Sequence, residues 1–162
     1  MKKICLILLI LPLLLTACRG EPAAPQAPLE QTAGQIREAL GNAHFVAADE
    51  DFIQTNFSNS GSLCGGLVFF GDEDTAGEWG VFLADSAAHA AACEAQLREY
   101  LQTEREAIAS LASLYPAQEL QERLALYENA TVGSSGTTVY YFALNKELRT
   151  RALRALEATL AA

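Results

Sequence analysis

The amino-acid sequence predicts an α+β domain: a small antiparallel three-stranded sheet packed by one long helix and several shorter helices. Three observations carry this expectation. Residues 63–70, 78–84 and 137–144 are short apolar runs rich in β-branched and aromatic side chains, the signature of strands. Cys93, Leu97, Tyr100, Leu101, Ile108 and Leu111 recur at three-and-four spacing, which marks the buried face of a long helix. That helix and a shorter one stand between the second and third strands, which gives room for a crossover in a layered fold. The three strands are nearly continuous apolar runs rather than alternating ones, so both faces of the sheet should be covered.

The elements follow in order. Ile36 and Leu40 are spaced for one face of a helix that Gly41-Asn42 can end. Asp49-Glu50-Asp51 can cap a second helix carrying Phe52, Ile53 and Phe57. Residues 56–61 have turn chemistry. The first two strands are joined by an acidic connection of seven residues, 71–77, which predicts an antiparallel hairpin. Asp85-Ser86 opens the long helix, which runs to about Leu114, with Glu94, Arg98, Gln102, Arg105 and Glu106 on its polar side. Leu120, Leu124 and Tyr127 mark a further helix over residues 117–127. Residues 129–136 look like a turn-rich break before the third strand. Asn145 can cap a final helix that turns Leu148, Ala152, Leu156 and Leu160 inward.

The chain starts with a different kind of signal. Met1-Lys2-Lys3 is positive, and Ile4 opens an apolar run of twelve residues. Leu15-Thr16-Ala17-Cys18 follows and resembles the lipobox of bacterial lipoproteins. Charged, then apolar, then small is the pattern of a secretory signal. As a helix the run would reach only about 18 Å, short of the ~30 Å hydrocarbon core. The resemblance implies that residues 1–17 are a signal peptide removed before Cys18. A diacylglycerol, with acyl chains such as palmitate, would sit on the Cys18 thiol. Two acyl chains anchor stably where one holds only marginally. The membrane is thus an expected partner through the lipid on Cys18, and the expected location is its extracytoplasmic face. Residues 18–30 then hold three of the five prolines, which fits an extended linker. Residues 31–162 are expected to form the single α+β domain.

Charge narrows the partners further. The chain has 11 basic and 20 acidic residues, and two of the basic ones leave with the signal peptide. Phosphate backbones need clustered Lys and Arg, so no nucleic-acid partner is expected. Lys146, Arg149, Arg151 and Arg154 cluster near the C-terminus, a pattern read as a solvated helix face.

Glu78-Trp79-Gly80-Val81-Phe82, then Ala84, a long amphipathic helix, Tyr115, Asn129-Ala130 and an apolar strand after Gly136 together resemble a known group. These are the lipoproteins called domain of unknown function 4358, found mainly in Gram-positive bacteria. The resemblance spans about residues 31–160. It departs at Asn56-Phe57-Ser58, where the family often has a Tyr-Gly pair. It implies fold and location, and brings no activity, substrate, cofactor or catalytic residue.

Cys64 and Cys93 are the cysteines expected in the folded region. Two readings stand: one disulfide bridge, which an exported compartment permits, or two buried thiols acting as small hydrophobes. His89 and Cys93 are four apart and with Cys64 imitate three zinc ligands, but no fourth is evident and a structural histidine is favoured. Asp72, Glu73, Asp74 and Glu78 form an incomplete calcium-loop pattern, better read as a charged hairpin tip. There is no Gly-x-Ser-x-Gly elbow and no phosphate loop. Phe69, Phe70, Trp79, Phe82, Tyr140, Tyr141 and Phe142 fall on strands; core packing is favoured for at least five, with Trp79 the candidate for partial exposure.

These readings favour a non-enzymatic, membrane-anchored module that binds an extracytoplasmic protein or small ligand, with no catalytic, cofactor-binding or metal residue assigned. The alternative is a cell-envelope hydrolase working through carboxylates. It requires acidic side chains converging in a concave pocket with raised pKa values.

Overall fold

Asp49, Ser86 and Asn145 each stop the chain from extending and start a helix. The Asp49 carboxylate accepts from the Phe52 N–H at 2.8 Å, the Ser86 hydroxyl from the His89 N–H at 3.2 Å, and the Asn145 carbonyl from the Leu148 N–H at 3.0 Å. Each satisfies a backbone donor that the first helical turn leaves free. In the computed structural model, which describes residues 29–41, 43–57, 63–72, 74–115 and 117–161, these caps open three of five helices. The helices are α1 (Leu29–Leu40), α2 (Glu50–Phe57), α3 (Ala87–Leu114), α4 (Gln118–Glu128) and α5 (Lys146–Leu160). Gly41, at φ 68°, closes α1 by donating its N–H to the Arg37 carbonyl at 3.2 Å. Residues 1–28, on which the expected signal peptide, Cys18 and most of the expected linker fall, lie outside the described residues. Among those described, no helix is long and apolar enough to cross a membrane.

The sheet corrects the sequence expectation. It has five antiparallel strands, not three: β1 (Phe45–Ala47), β2 (Leu63–Gly71), β3 (Glu78–Ala84), β4 (Thr131–Ser135) and β5 (Thr138–Ala143), in the order β1-β2-β3-β5-β4. The three expected strands form its centre, and the β2–β3 hairpin is antiparallel. The two added strands are its edges. β1 is three residues long, too short to show any alternation. β4 reads Thr-Val-Gly-Ser-Ser, which is turn composition. It is a strand because β5 supplies its ladder from Thr131↔Phe142 to Ser135↔Thr138. Gly136, at φ 60°, lets the chain reverse between them. Tertiary pairing here overrides local propensity.

Both sheet faces are covered, as the continuous apolar runs predict. Phe69, Trp79, Val81, Phe142 and Leu144 pack with Ile36 and Leu40 of α1 and with Ala152 and Leu156 of α5. Val68, Phe82, Val139 and Tyr141 pack on the other side with Phe57 of α2 and with Cys93, Leu97, Leu101 and Ile108 of α3. α4 lies beside α3 and adds Leu124 and Tyr127 to this second core. Five of the seven strand aromatics are buried, and Trp79 is among them at 0% exposure. Its expected exposure fails because Phe69 stacks on it at 4.3 Å between ring centroids and Phe45 meets it edge-on at 6.2 Å.

Candidate functional site

Glu78 opens β3, opposite Phe70 of β2 and Ala143 of β5. Strand alternation puts its side chain on the face of Gly80 and Phe82, beneath α3 and α4. It is 2% exposed. A carboxyl group deprived of water resists ionising, and burial pushes Glu78 from the ordinary 4.5 up to about 7.

Three tyrosines surround it. Tyr100 projects from α3 and donates its hydroxyl to Glu78 Oε2 at 3.2 Å. Tyr127, in the last turn of α4, and Tyr141, in β5, approach closely enough to favour the charged carboxyl. Even so, neither Glu78 Oε1 nor the Tyr141 hydroxyl meets a partner at hydrogen-bond distance and angle. Glu104, one helical turn beyond Tyr100, acts against ionisation of Glu78 by like charge. Burial, then the negative charge of Glu78, pushes the hydroxyl pKa values of Tyr100, Tyr127 and Tyr141 upward, so all three remain protonated at neutral pH. Arg123, one turn before Tyr127, engages the Tyr127 hydroxyl.

A missing side chain makes room for this cluster. Gly80 stands opposite Tyr141, and a Cβ there would lie 2.6 Å from Tyr141 Cε1. The aromatic wall behind it is continuous. Phe57 lies 5.1 Å from Tyr100, and Tyr141 lies 6.0 Å from Tyr100, both edge-on between ring centroids.

Over Glu78 opens a cleft of about 610 Å³, bounded by Phe70, the β2–β3 loop and the Glu119, Glu122, Arg123 and Tyr127 side of α4. A neighbouring hollow of about 520 Å³ shares Asp74, Thr75, Ala76 and Glu122 with it and extends to Asn145 and Leu148. The loop is held from within. The Asp72 carboxylate accepts from the N–H groups of Asp74 and Thr75 at 3.2 and 3.1 Å, and the Asp72 N–H donates to the His44 carbonyl. Asp72, Asp74 and Thr75 are thereby tied together at the rim.

Of the residues singled out in the sequence, Phe70, Asp72, Asp74 and Glu78 share this cleft, whereas Cys93 and His89 do not line it. Cys93 is a free buried thiol, its pKa raised to about 11 by burial. Cys64 sits in β2, and its side chain lies outside the described residues, as does Cys18. His89 pairs with Asp85 at the start of α3, and this hydrogen bond lowers the Asp85 pKa. Among the described residues no three His, Cys, Asp or Glu side chains gather to hold a metal. Four large apolar side chains are exposed among them, and Leu111, Leu114 and Tyr115 share the C-terminal end of α3.

In the sequence reading Glu78 opens the second strand and ends an incomplete calcium-loop pattern, and no buried or site role is assigned to it. One signal was present: a carboxylate directly before Trp-Gly-Val-Phe, inside an apolar strand. No family model, curated protein or solved structure matches this chain.

Proposed function

We propose that this protein is a lipid-anchored extracytoplasmic binding module, tethered through Cys18, and that the cleft over Glu78 receives its ligand. One observation carries the site: a fully buried carboxyl group with an oxygen left unbonded at the floor of a cleft. Burial without a partner destabilises the fold. Costly polar groups are retained where function uses them, and perturbed carboxyls gather at such sites. The lipobox-like Leu15-Thr16-Ala17-Cys18 and the proline linker support the tether.

Two experiments test the two halves. Mass spectrometry of the mature N-terminal peptide should find a diacylated Cys18, and Cys18→Ala should leave the membrane fraction. An unmodified thiol in a membrane-free protein overturns the tether. Native mass spectrometry of protein recovered in detergent from its own membranes should show a small-molecule adduct. Ala76→Trp, which fills the cleft mouth, should strip that adduct. An adduct that persists in Ala76→Trp, or none in the wild type, overturns the cleft.

The hydrolase reading is favoured by the same Glu78, because an acid with a pKa of about 7 is suited to donating a proton at neutral pH. The retained adduct separates the two. A module releases its ligand with the mass unchanged, whereas a hydrolase releases a cleaved product and loses that cleavage in Glu78→Gln.

A further inference from the structure

We propose that the cleft over Glu78 binds a primary ammonium group on an alkyl stem, carried by a small diamine or by the lysine side chain of a peptide. This rests on the cleft being the ligand site and names what enters it.

The sign of the charge comes first. Among the described lining residues, Asp72, Asp74, Glu78, Glu119 and Glu122 face one guanidinium, Arg123. An anion would meet repulsion from the rim and from the floor. Arg123 engages the Tyr127 hydroxyl, and the groups that act on Glu78 are three tyrosines and Glu104, none of them a cation.

The floor supplies the second reason. Glu78 is 2% exposed, and its Oε1 meets no partner at hydrogen-bond distance and angle. The Tyr127 hydroxyl, on the cleft wall, approaches the same carboxyl. An ammonium group has three donors and no acceptor, so it can give one hydrogen to Oε1 and another to a tyrosine oxygen. Phe70 and Tyr127 line the cleft, and aromatic faces attract alkylammonium groups. A divalent metal fits poorly, since no three ligand side chains gather among the described residues.

Binding then has a defined proton balance. The groups facing Glu78 are Tyr100 and Glu104 from α3, Tyr127 from α4 and Tyr141 from β5. Arg123 stands behind Tyr127, and Asp72 and Asp74 sit on the rim. In the empty cleft near neutral pH the Glu78 carboxyl is partly protonated. The arriving ammonium pairs with the carboxylate, and the carboxyl proton leaves to solvent. Affinity must therefore rise with pH until Glu78 is fully ionised.

The test is calorimetric titration of the full lipidated chain in neutral detergent. The probes are 1,4-diaminobutane and the capped tripeptide Ala-Lys-Ala, with butyrate and butanol as controls. Binding is expected at about pH 8, at least about tenfold weaker at about pH 5.5, with proton release between them. The tighter of the two amines identifies the source. Glu78→Gln should abolish binding while melting cooperatively. Tyr127→Phe, which keeps the charge and loses a hydroxyl, should weaken it severalfold. Equal binding by Glu78→Gln, or preference for butyrate, overturns the proposal. If neither amine binds while Ala76→Trp still strips the native adduct, the ammonium assignment falls and the cleft stands. If the adduct survives Ala76→Trp, the cleft itself falls.

Discussion

The two faces of the sheet are built from the same strands and do different things. Under α1 and α5 the packing is neutral, from Phe69 and Trp79 to Phe142 and Leu144, and its buried polar atoms without a partner, Thr32 Oγ1 and Trp79 Nε1, carry no charge. Under α2, α3 and α4 the core is equally well filled at its centre, but its end holds Glu78 with Tyr100, Tyr127 and Tyr141. Adjacent residues make the division. Trp79 faces one way and Glu78 the other, each nearly inaccessible to water. A carboxyl group serves packing worse than any apolar side chain of its size. The first face thus buries only neutral groups, and the second buries one that can ionise.

Substitutions can break or sharpen that contrast. Trp79→Ala removes the largest side chain of the apolar face and should cost about 3–5 kcal/mol in urea unfolding. The loss should be the same at about pH 5.5 and pH 8, because the one titratable group packed on that core, Tyr140, stays protonated across that range. A strongly pH-dependent loss would erase the distinction between faces. Gly80→Ala should cost about 1–3 kcal/mol by pressing a methyl into the Tyr141 ring. It should also alter the titration of Glu78, since Tyr141 stands against that carboxyl. Unchanged titration would show that the ring shifts without disturbing the cluster. Asn145→Ala, which removes the cap of α5 on the apolar side, should cost about 1 kcal/mol in thermal unfolding. It should leave the Glu78 titration where it was.

The same contrast explains what was legible in the sequence. The apolar face rests on periodicity and caps, which are local. Ile36 and Leu40, Ala152 and Leu156, the hairpin and the Asn145 cap could all be read from spacing. Trp79 was misjudged because its partners Phe69 and Phe45 come from two other strands, one of them too short to detect. The site face depends on convergence. Tyr100 could be placed on the buried side of α3, but Tyr127 and Tyr141 come from separate elements. Nothing in one dimension says that these rings gather around one carboxyl. β4 escaped for a related reason. Its turn-like residues become a strand through β5 on one side and α3 on the other, where Arg98 donates to the Val132 carbonyl and Ser134 to the Glu94 carboxylate.

The central claim is that Glu78 is a carboxyl the fold holds at a loss, and the pH dependence of stability measures it. Unfolding restores its ordinary value of 4.5 from about 7. Between those values the folded chain binds the proton more tightly than the unfolded one, so stability falls as pH rises through the window. By about pH 8 roughly 3 kcal/mol is lost. Glutamine does not titrate, so Glu78→Gln should gain on the wild type steadily from about pH 4.5 to pH 7 and end about 3 kcal/mol ahead of its acid-side difference. Stability curves that run parallel across that range would contradict it.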